Sequence, residues 1–302
     1  MKLSEFFGNK PMIDALGKSI ANGRVFHAYI FSGAAGGGKY TLAQAFAATI
    51  ICHNPANNDA CGICQSCISL AAGTHPDIVR LIPQKSSIGV EEIRDMIRDA
   101  AIKPYYSRRV YIIRNVDIMT VPAQNALLKT LEDSAAHGVF ILTAKNPAAF
   151  LPTILSRCAI YKLAPLPQSD IAAYLAAREI PRAQNLAAIA PSIGAALSFA
   201  NDEGFWPHHD HIAQIAANIS KMNIAEIFAA AKEIESAKDR LPQTLDILTL
   251  HLHKILMQTP ASQQSIAPLS AINQARVHLS ANTNPLLTIE IMLLDIAQKS
   301  IT

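Results

Sequence analysis

Residues 28–41 read Ala28-Tyr29-Ile30-Phe31-Ser32-Gly33-Ala34-Ala35-Gly36-Gly37-Gly38-Lys39-Tyr40-Thr41. The apolar run closed by glycine predicts a short buried strand. The apolar positions Leu42, Ala45, Phe46, Thr49 and Ile50 predict a helix directly after the glycine-rich turn. Strand, glycine loop and helix in this order form the setting of a phosphate loop, in which backbone N–H groups and a lysine cradle a nucleotide's phosphates. Gly33, Gly36, Gly38, Lys39 and Thr41 are therefore the candidate nucleotide-binding residues. Tyr40 stands where a short hydroxyl side chain would ligate magnesium, and a phenol on a long rigid ring cannot take that place. Thr41 is turned about 100° further around the helix. The cradle is present without its metal ligand, which leaves ATP binding open.

Working outward, Pro11 to Gly23 carries Met12, Leu16 and Ile20 on one helical face. Downstream, DIVRLI (77–82), VYIIRN (110–115), VFILTAK (139–145) and AIYKL (159–163) predict strands. Between them lie an amphipathic helix through Val90, Ile93, Ile97 and Ala100 and a second one at NALLKTLED (125–133). Alternation of this kind specifies an α/β P-loop domain with a mostly parallel sheet covered by helices, expected over residues 1–163. Beyond Leu163 the alternation stops. Residues 164–203, opened by Pro165 and Pro167, read as a small helical lid domain. Residues 204–302, with long helices over 241–257 and 285–298, read as an all-α bundle.

The helix after the loop delivers Cys52 to a second motif, Cys52-x8-Cys61-x2-Cys64-x2-Cys67. Three of these thiols cluster around Gly62 as a chelating knuckle requires, and tetrahedral sulfur coordination fits the set. Nothing in the first thirty residues reads as a signal peptide, which predicts a cytoplasmic protein, and a reducing compartment favours metal over disulfides. Four thiolates leave no open position for substrate, so the expected Zn2+ is structural. Cys158 stands apart.

With 302 residues, half of them hydrophobic, the chain can bury more than one core. No apolar run approaches the length of a membrane span. A net charge of +3 is too small to argue by itself for nucleic acid. A metal-dependent phosphate site also needs acids at the end of a buried strand, and VYIIRN ends instead in Arg114 and Asn115. Asp117 lies beyond the strand and would compensate only from a displaced position.

RVFHAYIFSG (24–33), the altered phosphate loop, the four-cysteine insertion, AGTHPDIV (72–79), NALLKTLED and LPTILSRC (151–158) occur in this order in the bacterial clamp-loader subunits. The chain closely resembles the delta-prime family of DNA polymerase III, strongly through about residue 165 and more loosely beyond. There NPLLTIEIMLLDI (284–296) is similar to the family's last collar helix. The resemblance implies an AAA+ domain, a lid, and a C-terminal collar for oligomerisation. It also implies a hetero-pentameric clamp loader with gamma/tau motor subunits and a delta subunit, acting on a sliding clamp and primed DNA within a DNA-directed DNA polymerase holoenzyme.

Motor subunits of this family carry an intact loop, an Asp-Glu pair aligned with Arg114 and Asn115, and a sensor arginine aligned with Gly194 in PSIGAALSF (191–199). All three elements are altered here, and the chain stops near residue 300 without the long extension of tau. The resemblance therefore implies a stator without ATPase activity of its own, whose Arg157 in the SRC motif serves as an arginine finger for a neighbouring subunit. The alternatives are an ATP-hydrolysing gamma/tau-like motor with substituted metal ligands, and a zinc-dependent nucleic-acid adaptor. The adaptor would need a basic face that NPANNDACG (54–62) does not offer.

Other polar residues read as ordinary structure. His208, His209, Asp210 and His211 fall at an expected helix start, where such residues are commonly solvated. His27 and His75 read as satisfied core or turn residues, and Arg108 and Arg109 as a solvated pair.

Overall fold

The computed structural model describes residues 2–98, 103–106, 108–133, 138–258, 266–281 and 283–299. They divide into two compact units, Met1–Leu175 with Pro191–Ala195, and Ala176–Ala190 with Ala196–Thr302. The segment expected as a lid is shared between them.

In the first unit, a 3-10 turn (Leu3–Glu5) and helix α1 (Lys10–Ala21) precede strand β1 (Ala28–Ser32) and helix α2 (Lys39–Ile51). Then come α3 (Gln65–Ala71), β2 (Ile78–Leu81), α4 (Val90–Ile97), β3 (Arg109–Ile113), α5 (Val121–Asp133), β4 (Gly138–Ala144), α6 (Pro152–Leu155), β5 (Ala159–Lys162) and α7 (Gln168–Ala176). The predicted helix of 90–100 is described through Ile97, and Ala100 lies outside the described residues. All five strands are parallel in the order β2-β3-β4-β1-β5. This is the expected α/β architecture, a parallel sheet covered by helices, with a helical C-terminal region.

Burial on both faces explains why the inner strands β1, β3 and β4 are nearly continuous apolar runs, while the edge strands β2 and β5 are only partly buried. Tyr29 and Phe31, Val110 and Ile112, and Val139 and Ile141 point into a core shared with Leu42, Phe46 and Ile50 of α2. Their alternates Ala28 and Ile30, Tyr111 and Ile113, and Phe140 and Leu142 join a second core with Ile93, Leu127 and Leu131 from α4 and α5. Each fully buried large apolar side chain contributes about 1.5–3 kcal/mol. Aromatic pairs add specificity on each side: Tyr29 meets Phe46 edge-on at 4.8 Å, and Tyr111 stacks on Phe140 at 4.6 Å.

DIVRLI departs from the expected strand at both ends. Asp77 is fully buried outside β2, where its carboxylate accepts the backbone N–H groups of Tyr105 (2.8 Å) and Tyr106 (2.7 Å). Arg109, expected to be solvated, is largely buried with its Nε 3.8 Å from the same carboxylate, because β3 brings it alongside Asp77. His75 is a turn residue as read: its Nδ1 accepts from Asp77 N at 3.1 Å and its Nε2 lies 2.8 Å from Ser66 Oγ. Burial lowers its pKa.

The second unit is helical: α8 (Ala183–Ile189), the end of α9 (Ile193–Ala200), α10 (Phe205–Asn218), α11 (Ile224–Ser236), α12 (Leu241–Gln258), α13 (Ala267–Ser280) and α14 (Pro285–Lys299). The histidine cluster lies within α10, and the expectation that all of it is solvated fails for His209, which is 3% exposed. Its Nδ1 is 2.9 Å from Asp210 and its Nε2 3.5 Å from Nε2 of His251 on α12. Asp210 also pairs with Arg182, whose guanidinium stacks on Trp206. The cause is helical spacing, which turns His209 into the interface with α12 while His211 stays outside, 3.0 Å from Glu233.

Candidate functional site

The phosphate loop leaves the C-terminal end of β1, near the middle of the sheet, and runs into α2. Gly36 and Gly38 adopt positive φ, +70° and +81°, which only glycine accepts without strain. Lys39 is nearly buried, and its Nζ donates to the carbonyls of Gly33 and Ala34, both at 2.7 Å. Burial lowers its pKa; Asp117 opposes this, while Lys145 and Arg114 reinforce it. Thr41 is half-buried in the first turn of α2.

The replaced positions meet one another. The Arg114 guanidinium lies 5.4 Å from the centre of the Tyr40 ring, a cation–π contact in place of a metal ligand and an acid. Asn115 takes a left-handed conformation (φ 53°), and its N–H donates to Thr143 Oγ1 at 3.1 Å. Asp117, the residue that would have had to compensate, accepts Lys145 N through both oxygens at 2.8 Å and Asn146 N at 2.9 Å. Gly194 is more than a missing arginine. Its N–H donates to Gly36 O at 3.2 Å, and a Cβ added at Gly194 would stand 2.6 Å from that oxygen. Sequence reading missed this close approach, which joins residues far apart in the chain.

The four cysteines converge. Cys52 ends α2, Cys64 is the N-cap of α3, Cys67 lies inside it, and Gly62 at φ +77° turns the chain between them. Their Sγ atoms all lie within 4.8 Å of one another, with Cys52 and Cys64 at 4.0 Å. Tetrahedral Zn–S bonds of about 2.3 Å require sulfurs about 3.8 Å apart, so the set fits a metal. Backbone N–H groups of Cys61 and Cys64 point at Sγ of Cys52 (3.2 Å) and Cys61 (3.4 Å), which favours thiolates. Burial opposes ionisation of Cys64, yet the amides of Cys67 and His53 bring its pKa down to about 6. Burial pushes Cys67 up to about 12.

Asp59, which sequence reading passed over, ties this module to the rest of the unit. It accepts Leu3 N (2.8 Å), Ser4 N (2.9 Å), Ser4 Oγ (2.7 Å) and Ala60 N (2.8 Å). Burial works against its charge, but these donors hold the carboxyl below its ordinary range.

Arg157 follows α6 and precedes β5, at the end of the sheet opposite the phosphate loop. Its Nη1 donates to Thr153 O at 2.9 Å and lies 3.4 Å from Ser156 Oγ. Ala159 pairs in register with Tyr29, so four residues of extended chain, roughly 13 Å, separate that level from Gly33. Cys158 beside it is half-buried, and that burial pushes its thiol up to about 12.

Residues 8–167 match the family model described as "DNA polymerase III, delta subunit". The chain belongs to that family. It is 39% identical over 158 residues to the DNA polymerase III subunit delta' of Pseudomonas aeruginosa, covering 51% of this chain and 48% of that one. It is 32% identical over 216 residues to the delta' subunit of Escherichia coli, covering 69% and 64%. The Escherichia coli tau subunit is 33% identical over 56% of this chain and 26% of its own length. The chain thus spans less than two thirds of each of these relatives. Among solved structures, a DNA polymerase III gamma subunit-related protein from Thermotoga maritima aligns over 95% of this chain and 99% of its own, at 18% identity and a TM-score of 0.46. No helix among the described residues is long and apolar enough to cross a membrane.

Proposed function

We propose that this chain is a delta-prime-type stator of the bacterial clamp loader. It holds position while gamma/tau motor subunits bind and hydrolyse ATP, and with them and a delta subunit it loads the sliding clamp onto primed DNA. Arg157 is the arginine finger donated to a neighbour's nucleotide. Zn2+ held by Cys52, Cys61, Cys64 and Cys67 is structural and supplies rigidity. Residues 1–163, 164–203 and 204–302 act as AAA+ domain, lid and oligomerising collar.

The observation that carries this reading is the state of the phosphate loop. Lys39 caps the loop's own carbonyls, Gly194 binds Gly36, and Asp117 spends both oxygens on backbone amides. A metal-dependent hydrolase needs those groups for magnesium and water. The register of β5 on β1 supports a donor acting on a neighbour, because Arg157 stands at the far end of the sheet from its own loop.

The test is steady-state ATP hydrolysis by the isolated chain, by motor subunits, and by the assembled complex with clamp and primed DNA. The stator reading expects activity only where motor subunits are present. Turnover by the lone chain that disappears in Lys39→Ala would establish the motor reading instead.

A further inference from the structure

The seam between α10 and α12 brings two imidazoles together through their Nε2 atoms. A carboxylate only accepts, so the 2.9 Å contact with Asp210 fixes a proton on Nδ1 of His209 and leaves its Nε2 an acceptor when the ring is neutral. Hydrogen bonds from His209 and Arg182 hold the Asp210 carboxyl below its ordinary range, so this arrangement persists in mild acid. The group facing Nε2 of His209 is Nε2 of His251, 3.5 Å away. A single N–H, carried by His251, therefore bridges the two neutral rings.

One added proton leaves that contact intact, because a charged ring and a neutral one still present one donor and one acceptor to each other. A second proton breaks it, since two imidazolium rings aim N–H at N–H. The surrounding charges do not offset this. Asp210 is already held by Arg182, the N-cap of α8, through both oxygens at 2.9 and 3.1 Å. Lys254 adds a cation near His251, and His208, which also acts on this seam, rests on Thr244 Oγ1 at 2.8 Å. Burial, then His209 and Lys254, push the pKa of His251 below its ordinary value against the pull of Asp210. We propose that His209 and His251 form a one-proton clasp that holds α12 on α10 near neutrality and releases it in mild acid. Because the folded-state value of His251 lies below the unfolded value of about 6.5, its stabilisation is full above that pH and is lost as the pH falls through the folded-state value.

The test follows the histidine ring signals in ¹H–¹⁵N spectra, and amide hydrogen exchange in α12, for the full zinc-loaded chain between about pH 7.5 and about pH 5. His251 should titrate below about 6.5. As it does, opening of α12, corrected for the intrinsic pH dependence of exchange, should rise roughly tenfold, the factor for two sites coupled by one pK unit. His251→Gln keeps an amide N–H for Nε2 of His209 but does not titrate, and should abolish the rise. His209→Gln should move the titration of His251 upward and weaken the rise. Zinc released from the cysteine module in acid is common to all three chains and drops out of the comparison. Either variant carries the test if the other fails to fold. Titration of His251 at or above about 6.5, an unchanged rise in His251→Gln, or an unmoved His251 titration in His209→Gln overturns the clasp.

Discussion

At the C-terminal ends of the strands, the charged and polar groups around the phosphate loop are turned inward on the protein itself. Lys39 binds loop carbonyls, Arg114 packs on Tyr40, and Asp117 ties down the exit of β4. At the N-terminal ends, Arg157 rests on the turn that carries it, with Thr153 O and Ser156 Oγ as local partners. At one end of the sheet the charged groups are satisfied within the protein. The other carries Arg157 just beyond a short helix, with Thr153 O and Ser156 Oγ among its contacts.

The sharpest way to break this contrast is Arg157→Ala in a reconstituted complex. Clamp- and DNA-dependent ATP hydrolysis at the site it serves should fall on the order of 10³-fold, while folding, zinc content and assembly stay unchanged. Arg157→Lys should recover little, lacking the fork that engages several oxygens together. Equal rates in all three complexes would reduce Arg157 to a surface residue.

A second experiment concerns the cysteine module. Metal analysis of chelator-free protein should give one zinc per chain, and Cys64→Ser should lose it and lower the melting temperature. Cys158→Ser should leave zinc content unchanged. Because bound thiols must be deprotonated, and Cys67 sits at about 12 without metal, zinc should be released as the pH falls.

Asp59→Ala should cost about 2–3 kcal/mol by stranding the donors of Leu3, Ser4 and Ala60, measured by urea unfolding. The folded-state pKa of Asp59 is depressed. Its stabilisation is therefore complete above the unfolded carboxylate value of about 3.9 and disappears as the pH falls through the lower folded-state value. The difference between wild type and Asp59→Ala should close in that acid range and be full at neutrality.

The smallest effect is expected for Tyr40→Thr, which removes the contact with Arg114 and should cost about 0.5–1 kcal/mol. It should restore no hydrolysis, since the acids are still missing. Turnover gained by this single change would erase the distinction between the two ends of the sheet.

The inner strands were legible because each is a run of apolar residues, and the cysteine cluster because its spacing is a chelate geometry written locally. Tyr40, Arg114 and Asn115 could be read as departures from a pattern, but that Tyr40 and Arg114 would touch could not. The roles of Asp59 and Asp77 were invisible for a different reason. Each carboxylate serves amides dozens of residues away, and nothing in NPANNDACG or AGTHPDIV announces a buried acceptor. The burial of His209 likewise depends on α12, a separate helix.

The sheet of the first unit is a partition as well as a scaffold. Tyr29 and Phe46 share one compartment, while Tyr111 and Leu127 share the other. Cavities opened on opposite faces have no common neighbours to relax into, so their costs should add to within about 0.5 kcal/mol. Paired changes on one face, such as Tyr29 with Phe46, should show coupling beyond that margin. Two nearly independent cores stacked back to back let one face drift in sequence without disturbing the other.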